Sequence, residues 1–242
     1  MIEARKNPLI EALFARLNLG MLRRHFHLLH LQGAERVQRL DRSLPVVFFG
    51  NHSNWWDGLM EFHLGREILH VDSYLMMEEK QMERYRFFRF IGVFSVDRGS
   101  PREAYESVRY ASRVAAAPNR ALWIYPQGDM RPNDVRPLRF FPGIGHIANM
   151  LGTAHFVPVA RRYEYMKEQL PEVFTRIGEP ILVERTERPR ETAARFESLL
   201  TAQLDALRDD VVAGRTGAFT TILRGRSSAN VVYDRARLAD GT

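Results

Sequence analysis

Residues 46–58 read VVFFGNHSNWWDG, and the rest of the chain is organised around them. Val46, Val47, Phe48 and Phe49 form an unbroken apolar run with the length and the β-branched or aromatic character of a buried strand, and Gly50 with Asn51 breaks it. His52 is therefore expected just beyond a strand end. Asp57 follows five positions later, before a more helical run over residues 59–67. A turn between them can bring the two side chains together. An imidazole of ordinary pKa, about 6.5, takes a proton from a hydroxyl when a carboxylate fixes its tautomer and stabilises the imidazolium. The same pair can also cap a turn and the next helix, and spacing alone leaves both readings open.

Composition narrows the classes. A chain of 242 residues suits one well-buried α/β domain with a small appendage. Hydrophobic residues make up 45% and charged residues 26%, the balance of a folded soluble or peripheral protein, and no segment approaches the ~20 apolar residues that span a bilayer. The first apolar stretch is interrupted by Glu11, Arg16 and Arg23 and lacks a small-residue cleavage site, so no leader is expected and the protein should stay on the cytoplasmic side. With zero cysteines, disulfides, thiolate metal sites and a cysteine acyl-enzyme are excluded. The net charge of +6 implies attraction to anionic surfaces, and Lys6, Lys80 and Lys167 are the only lysines among 35 basic residues. Arginine suits bidentate phosphate contacts, although a biased genome composition gives the same excess.

Along the chain, residues 8–24 read as a helix with Ile10, Leu13, Phe14, Leu17 and Met21 on one stripe and Arg5, Lys6, Arg16, Arg23 and Arg24 around it. Such a helix either lies in a membrane interface or packs on its own domain. His25, His27 and His30 fall in a strand-like stretch, where only His25 and His27 share a face and no carboxylate is near, so no metal site is expected. Strands are expected over 70–77, 121–125, 156–160 and 172–178, and helices over 78–90, 101–117 (Ser100 as N-cap) and 144–151. A last helix from Pro189 carries Ala193, Phe196, Leu200, Leu204, Leu207 and Val211 as an apolar stripe. From Gly214 the chain reads as a basic tail without a clear period.

Three further blocks follow the first: Gly92-Val93-Phe94-Ser95-Val96-Asp97-Arg98, Tyr125-Pro126-Gln127-Gly128-Asp129-Met130-Arg131 with Phe140 and Gly143, and Phe156-Val157-Pro158-Val159-Ala160. In this order, over roughly residues 26–183, they resemble the signature blocks of the glycerolipid acyltransferases of the lysophosphatidate acyltransferase type. The resemblance implies an α/β sandwich with a mixed, largely parallel sheet, here with an N-terminal amphipathic helix. The implied division is a membrane-interface helix over 1–24, an acyltransferase domain over 25–213 and a basic tail over 214–242. It also implies transfer of an acyl group from acyl-coenzyme A or acyl carrier protein to a hydroxyl of a lipid acceptor, with no cofactor, no metal and no nucleic-acid partner, at the cytoplasmic face of the membrane.

In the family the histidine of the first block is the base, here His52, and Asp57 orients it. The arginine of the second block, here Arg98, meets phosphate in the acceptor pocket. Asn51 and the backbone near Gly58 are candidates for the oxyanion, Trp55 and Trp56 for an acyl or acceptor groove, a membrane contact or core packing, and Gln127, Gly128, Asp129 and Arg131 for the acceptor side. The third block departs from the pattern. Gln127 stands where the family has glutamate, Asp129 where it has threonine and Met130 where it has arginine, with Arg131 displaced by one position. Phe141 and Pro142 replace basic residues, and Arg131, Arg136 and Arg139 are the available compensation. The altered block points to an acceptor other than lysophosphatidate, and it keeps a non-catalytic lipid-binding member of the same fold as the alternative.

Overall fold

The computed structural model describes residues 1–97, 99–184, 187–227 and 233. The organising stretch forms β2 (Val46–Gly50), every residue of which is buried. It lies between β5 (Arg120–Ile124) and β6 (Ala154–Glu164), parallel to both. Val47 and Phe49 face one core with Leu122, Ile124 and Phe156, whereas Val46 and Phe48 face another with Trp123 and Val157. Alternation across a sheet covered on both faces is why the run reads as continuously apolar. Phe48 stacks on Trp123 at 4.1 Å, and Phe49 stacks at 4.8 Å on Phe196 of α7 (Pro189–Val212). Burial of each such side chain contributes about 1.5–3 kcal/mol.

The remaining strands are β1 (Leu28–Gln32), β3 (Asp72–Glu78), β4 (Val93–Val96), β7 (Glu172–Ile177), β8 (Ile181–Val183) and β9 (Thr220–Arg224). Among the described residues the nine strands run β4-β3-β5-β2-β6-β7-β1-β9, with β8 paired to β6. From β4 to β6 all neighbours are parallel, and β6 with β7, β1 with β9 and β6 with β8 are antiparallel, so the sheet is mixed and largely parallel. The carboxyl ends of β3, β5, β2 and β6 therefore share one edge, the edge where open α/β sheets hold their ligands. One face is covered by α5 (Pro101–Ala115), α6 (Gly143–Leu151) and α7. The other carries α2 (Ala34–Gln38), α3 (Asp57–His63), and α1 (Pro8–His25), whose Phe14 meets Phe62 edge-on at 5.0 Å.

Local chemistry sets the helix ends. Asn7 caps α1 by accepting from the N–H groups of Leu9 and Ile10 at 3.0 and 3.2 Å, and Arg23, Arg24 and His25 sit at its negative end. Ser100 caps α5 as expected, accepting from the Glu103 N–H at 3.2 Å, with Pro101 in the first turn.

Several expectations are corrected. The helix expected over 78–90 breaks at Tyr85 into α4 (Glu79–Arg84) and a 3-10 turn over Arg86–Ile91. The helical run over 59–67 starts two residues early and ends in a π turn over Leu64–Ile68. The strand expected over 156–160 continues to Glu164, because Arg161 and Tyr163 find buried partners and β7 supplies a ladder across that half. The basic tail contributes β9, whose Thr-Thr-Ile-Leu run pairs antiparallel with β1. In α1 the buried positions are Phe14, Asn18 and Leu22, while Leu13 and Leu17, assigned above to the same stripe as Phe14, are 60% and 56% exposed. The helix is apolar on more than one side, so periodicity did not select the face that packs.

Candidate active site

His52 lies two residues past β2, and Asp57 opens α3. His52 Nδ1 and Asp57 Oδ2 are 2.9 Å apart. The same carboxylate oxygen accepts from the backbone N–H of Ser53 at 2.8 Å and of Asn54 at 2.9 Å, so the tight turn between the two residues is itself closed on the acid. With Asp57 ionised, the geometry puts the proton on Nδ1 and leaves Nε2 as the basic atom. His52 keeps 23% of its side chain exposed while Asp57 has 0%, so the base is reachable and its partner is sealed. Tyr125, just past β5, stacks on the imidazole at 4.4 Å and 11°.

A buried polar cluster, not foreseen in the sequence, backs this pair. Tyr163 on β6 donates its phenol to Asp57 Oδ1 at 2.6 Å. Arg161, two residues earlier, has its Nη1 3.8 Å from that oxygen and holds Glu61 in a two-pronged bond of 2.9 and 3.1 Å. Thr175 on β7 accepts from Arg161 Nε at 3.1 Å. Burial pushes the Asp57 carboxyl up, but the His52 bond, the Arg161 charge and the Tyr163 phenol outweigh it, and the group is held below the ordinary carboxylate value. Burial, then the nearby Asp57 carboxylate, pushes Tyr163 well above an ordinary phenol, so it remains a donor. Burial also lifts Glu61, against the pull of Arg161. The available signals were Glu61 one helical turn after Asp57, and Arg161 and Tyr163 at period-two spacing on a strand that otherwise reads as ended.

The residues read as substrate contacts divide. Asn51 is buried: its amide donates to the Arg161 carbonyl and to Asn133 Oδ1, both at 2.9 Å, and its oxygen accepts from the Arg161 N–H at 2.8 Å. Both amide protons are thus committed within the fold. Gln127 is also buried, and its Oε1 accepts the His52 backbone N–H at 2.7 Å. Trp56 packs edge-on against Phe26 at 5.1 Å, whereas Trp55 is 53% exposed and faces the cavity described below. Gly128 takes φ +72°, a conformation that favours glycine, and its N–H closes a turn onto Tyr125 O at 3.0 Å. Arg131 donates its backbone N–H to His52 O at 2.8 Å. Arg136 is tied to Asp205 at 2.7 Å, and the Arg139 backbone N–H donates to Glu197 at 2.9 Å. Arg98 lies outside the described residues. The Ser53 hydroxyl has no hydrogen-bond partner among the described residues, so no base is poised to make it a nucleophile.

A cavity of about 950 Å³ opens beside His52. Gly128, Asp129 and Met130 stand near the histidine, and Leu59, Phe62, Met77, Phe88 and Ile91 are among the apolar residues that line the rest. The arrangement joins a solvent-reachable base to an apolar chamber of ligand size.

The profile of the Acyltransferase family matches residues 29–162. The fold is similar to the crystal structure of the 1-acyl-sn-glycerophosphate (LPA) acyltransferase PlsC from Thermotoga maritima, with a TM-score of 0.60 and 16% identity over 83% of this chain and 78% of that one. No curated protein matches the sequence.

Proposed function

Because the chain belongs to the acyltransferase family, we propose that it moves a fatty acyl group from acyl-coenzyme A or acyl carrier protein to a hydroxyl of a lipid acceptor at a membrane surface. The observation that carries this reading is His52, oriented by a buried Asp57, at the mouth of a largely apolar cavity of about 950 Å³.

His52 Nε2 takes the proton of the acceptor hydroxyl as the oxygen attacks the thioester carbonyl carbon. The new C–O bond gives a tetrahedral oxyanion. Its collapse breaks the C–S bond, and the departing thiolate receives the proton from the imidazolium. Asp57 stabilises the imidazolium while it exists, which lowers the barrier rather than only tightening binding. The apolar chamber accommodates the acyl chain. The uncharged Met130 and Phe141, which line the cavity, favour an acceptor headgroup other than a phosphomonoester.

Among the described residues no helix is long and apolar enough to cross a membrane. Contact with lipid is proposed through the outer face of α1, where Leu9, Leu13 and Leu17 are 82%, 60% and 56% exposed, together with Trp55 and Phe87. Exposed Arg16, Arg23 and Arg24 on the same helix match anionic headgroups.

The deciding experiment is transfer of label from palmitoyl-coenzyme A and palmitoyl-acyl carrier protein to lysophospholipids, glycerol-3-phosphate and a lipid extract, with wild type and His52→Ala side by side. Label in a lipid that depends on His52 establishes the reaction and names donor and acceptor. Folded, liposome-bound protein without any His52-dependent transfer overturns the reading in favour of a non-catalytic lipid-binding protein.

A further inference from the structure

We propose that Tyr163 is a positioning residue of the acyl-transfer step, its phenol setting how much negative charge Asp57 presents to His52; the proposal rests on the acyl-transfer reading above. Asp57 has two oxygens with different duties. Oδ2 is filled by His52 Nδ1 and by the N–H groups of Ser53 and Asn54, donors that the turn itself supplies. Among the described residues Oδ1 receives one hydrogen bond, the 2.6 Å bond from the Tyr163 hydroxyl, with Arg161 Nη1 at 3.8 Å.

Tyr163 comes from a different element than the dyad. It sits on β6, where it pairs with Val173 of β7, and its ring packs at 6.0 Å from Phe26. The register of the sheet therefore fixes the phenol against a carboxylate that α3 carries. A short bond to an ionised acceptor withdraws charge from it and holds its rotamer.

The other groups facing the dyad are accounted for. Glu61 on α3 and Arg161 on β6 are engaged with each other. Tyr125 and Gln127, after β5, stack on the imidazole and accept the His52 N–H. Asp129 and Arg131 lie on the loop that follows, Asp129 lining the cavity and Arg131 bonded through its backbone to His52 O. Among the described residues the Tyr163 hydroxyl donates to Asp57 and bonds to no backbone group, so its removal changes the charge on the acid without unpinning the turn.

The test compares wild type, Tyr163→Phe, and protein with 3-fluorotyrosine, a more acidic donor of nearly the same shape, at position 163. The acid limb of the pH–rate profile belongs to the coupled His52–Asp57 pair. Loss of a donor raises the proton affinity of the pair, so Tyr163→Phe moves the limb up by about half a pH unit and lowers kcat about tenfold with KM unchanged. Fluorotyrosine moves the limb the other way. A residue that only packs would leave the limb in place for both variants, and that result overturns the proposal. Should Tyr163→Phe not fold, the fluorotyrosine protein decides alone by the same criterion.

The ring-nitrogen NMR titration of His52 in the resting protein, assigned by its loss in His52→Ala, gives the same comparison without substrate. A shift there with no acyl transfer by wild type places the failure in the functional reading. Transfer by wild type with unmoved midpoints in the variants places it in the role given to Tyr163.

Discussion

Arg161 and Glu61 meet as a two-pronged ion pair, Nη1 to Oε1 at 2.9 Å and Nη2 to Oε2 at 3.1 Å, with 1% and 3% of their side chains exposed. They stand directly behind Asp57, so the acid of the dyad rests on a fully desolvated charge pair. The pairing keeps Arg161 charged: burial opposes the charge, and the Glu61 carboxylate more than restores it.

Breaking such a pair from one side strands the other charge. Arg161→Met is expected to destabilise the fold by about 3–5 kcal/mol, and Glu61→Gln by a comparable amount. The double variant recovers a substantial part of the loss, since no uncompensated charge remains, yet its activity stays low because Asp57 has lost its neighbouring cation. Urea unfolding of the four proteins, read as a double-mutant cycle, measures the coupling. Additive losses would mean that the pair contributes nothing as a pair.

Asp57 gives a pH signature. Its folded carboxyl lies below its ordinary value, while in the unfolded chain it titrates at about 3.9. A depressed carboxyl contributes stability that is fully present above the unfolded pKa and is lost as pH falls through the folded one. The stability gap between wild type and Asp57→Asn is therefore expected to be constant above about pH 5 and to shrink below about pH 4. Urea midpoints of both proteins from pH 7 to pH 3 check this, and a gap that stays level throughout contradicts the assignment.

The parts of this molecule that the sequence discloses share a physical reason. The run 46–49 faces apolar cores on both sides of the sheet, and the turn at 52–57 is short enough for local chemistry to bring acid and base together. What stayed hidden depends on distant partners. Arg161 and Tyr163 read as the polar end of a strand because their partners, Glu61 and Asp57, lie 100 and 106 residues away. Gln127 read as a contact to the acceptor, although its partner is the backbone of His52, which no side-chain pattern reveals. In α1, apolar residues on both sides of the helix left the packed face undetermined until Phe62 and the 3-10 turn supplied the other half of the contact.

The exposed side of α1 yields a membrane prediction. Leu13 and Leu17 lie on the solvent side, so Leu13→Ser with Leu17→Ser should leave the melting temperature within about 2 °C of wild type. If both side chains enter the acyl region, their loss costs about 3 kcal/mol of partitioning, roughly a hundredfold. Flotation with anionic liposomes reads this directly, and the residual binding should fall further with salt as the arginines are screened. Unchanged flotation of the double variant would remove α1 from the contact.

The cavity makes a prediction about chain length. Met77 lines it at the carboxyl end of β3, near the 3-10 turn that contributes Phe88 and Ile91, and its side chain is flexible and only half buried. Met77→Trp places a rigid ring where an acyl chain would extend, without touching His52 or Asp57. Each methylene moved out of water is worth about 0.8 kcal/mol. Excluding two of them lowers kcat/KM for a sixteen-carbon donor about tenfold, whereas an eight- or ten-carbon chain that does not reach the ring is left unaffected. A competition assay with mixed-length donors therefore distinguishes a shortened chamber from a damaged site: the first changes the ratio of products, and the second lowers all of them together. A product ratio identical to wild type, with Met77→Trp folded and active, would place the acyl chain elsewhere than in this cavity.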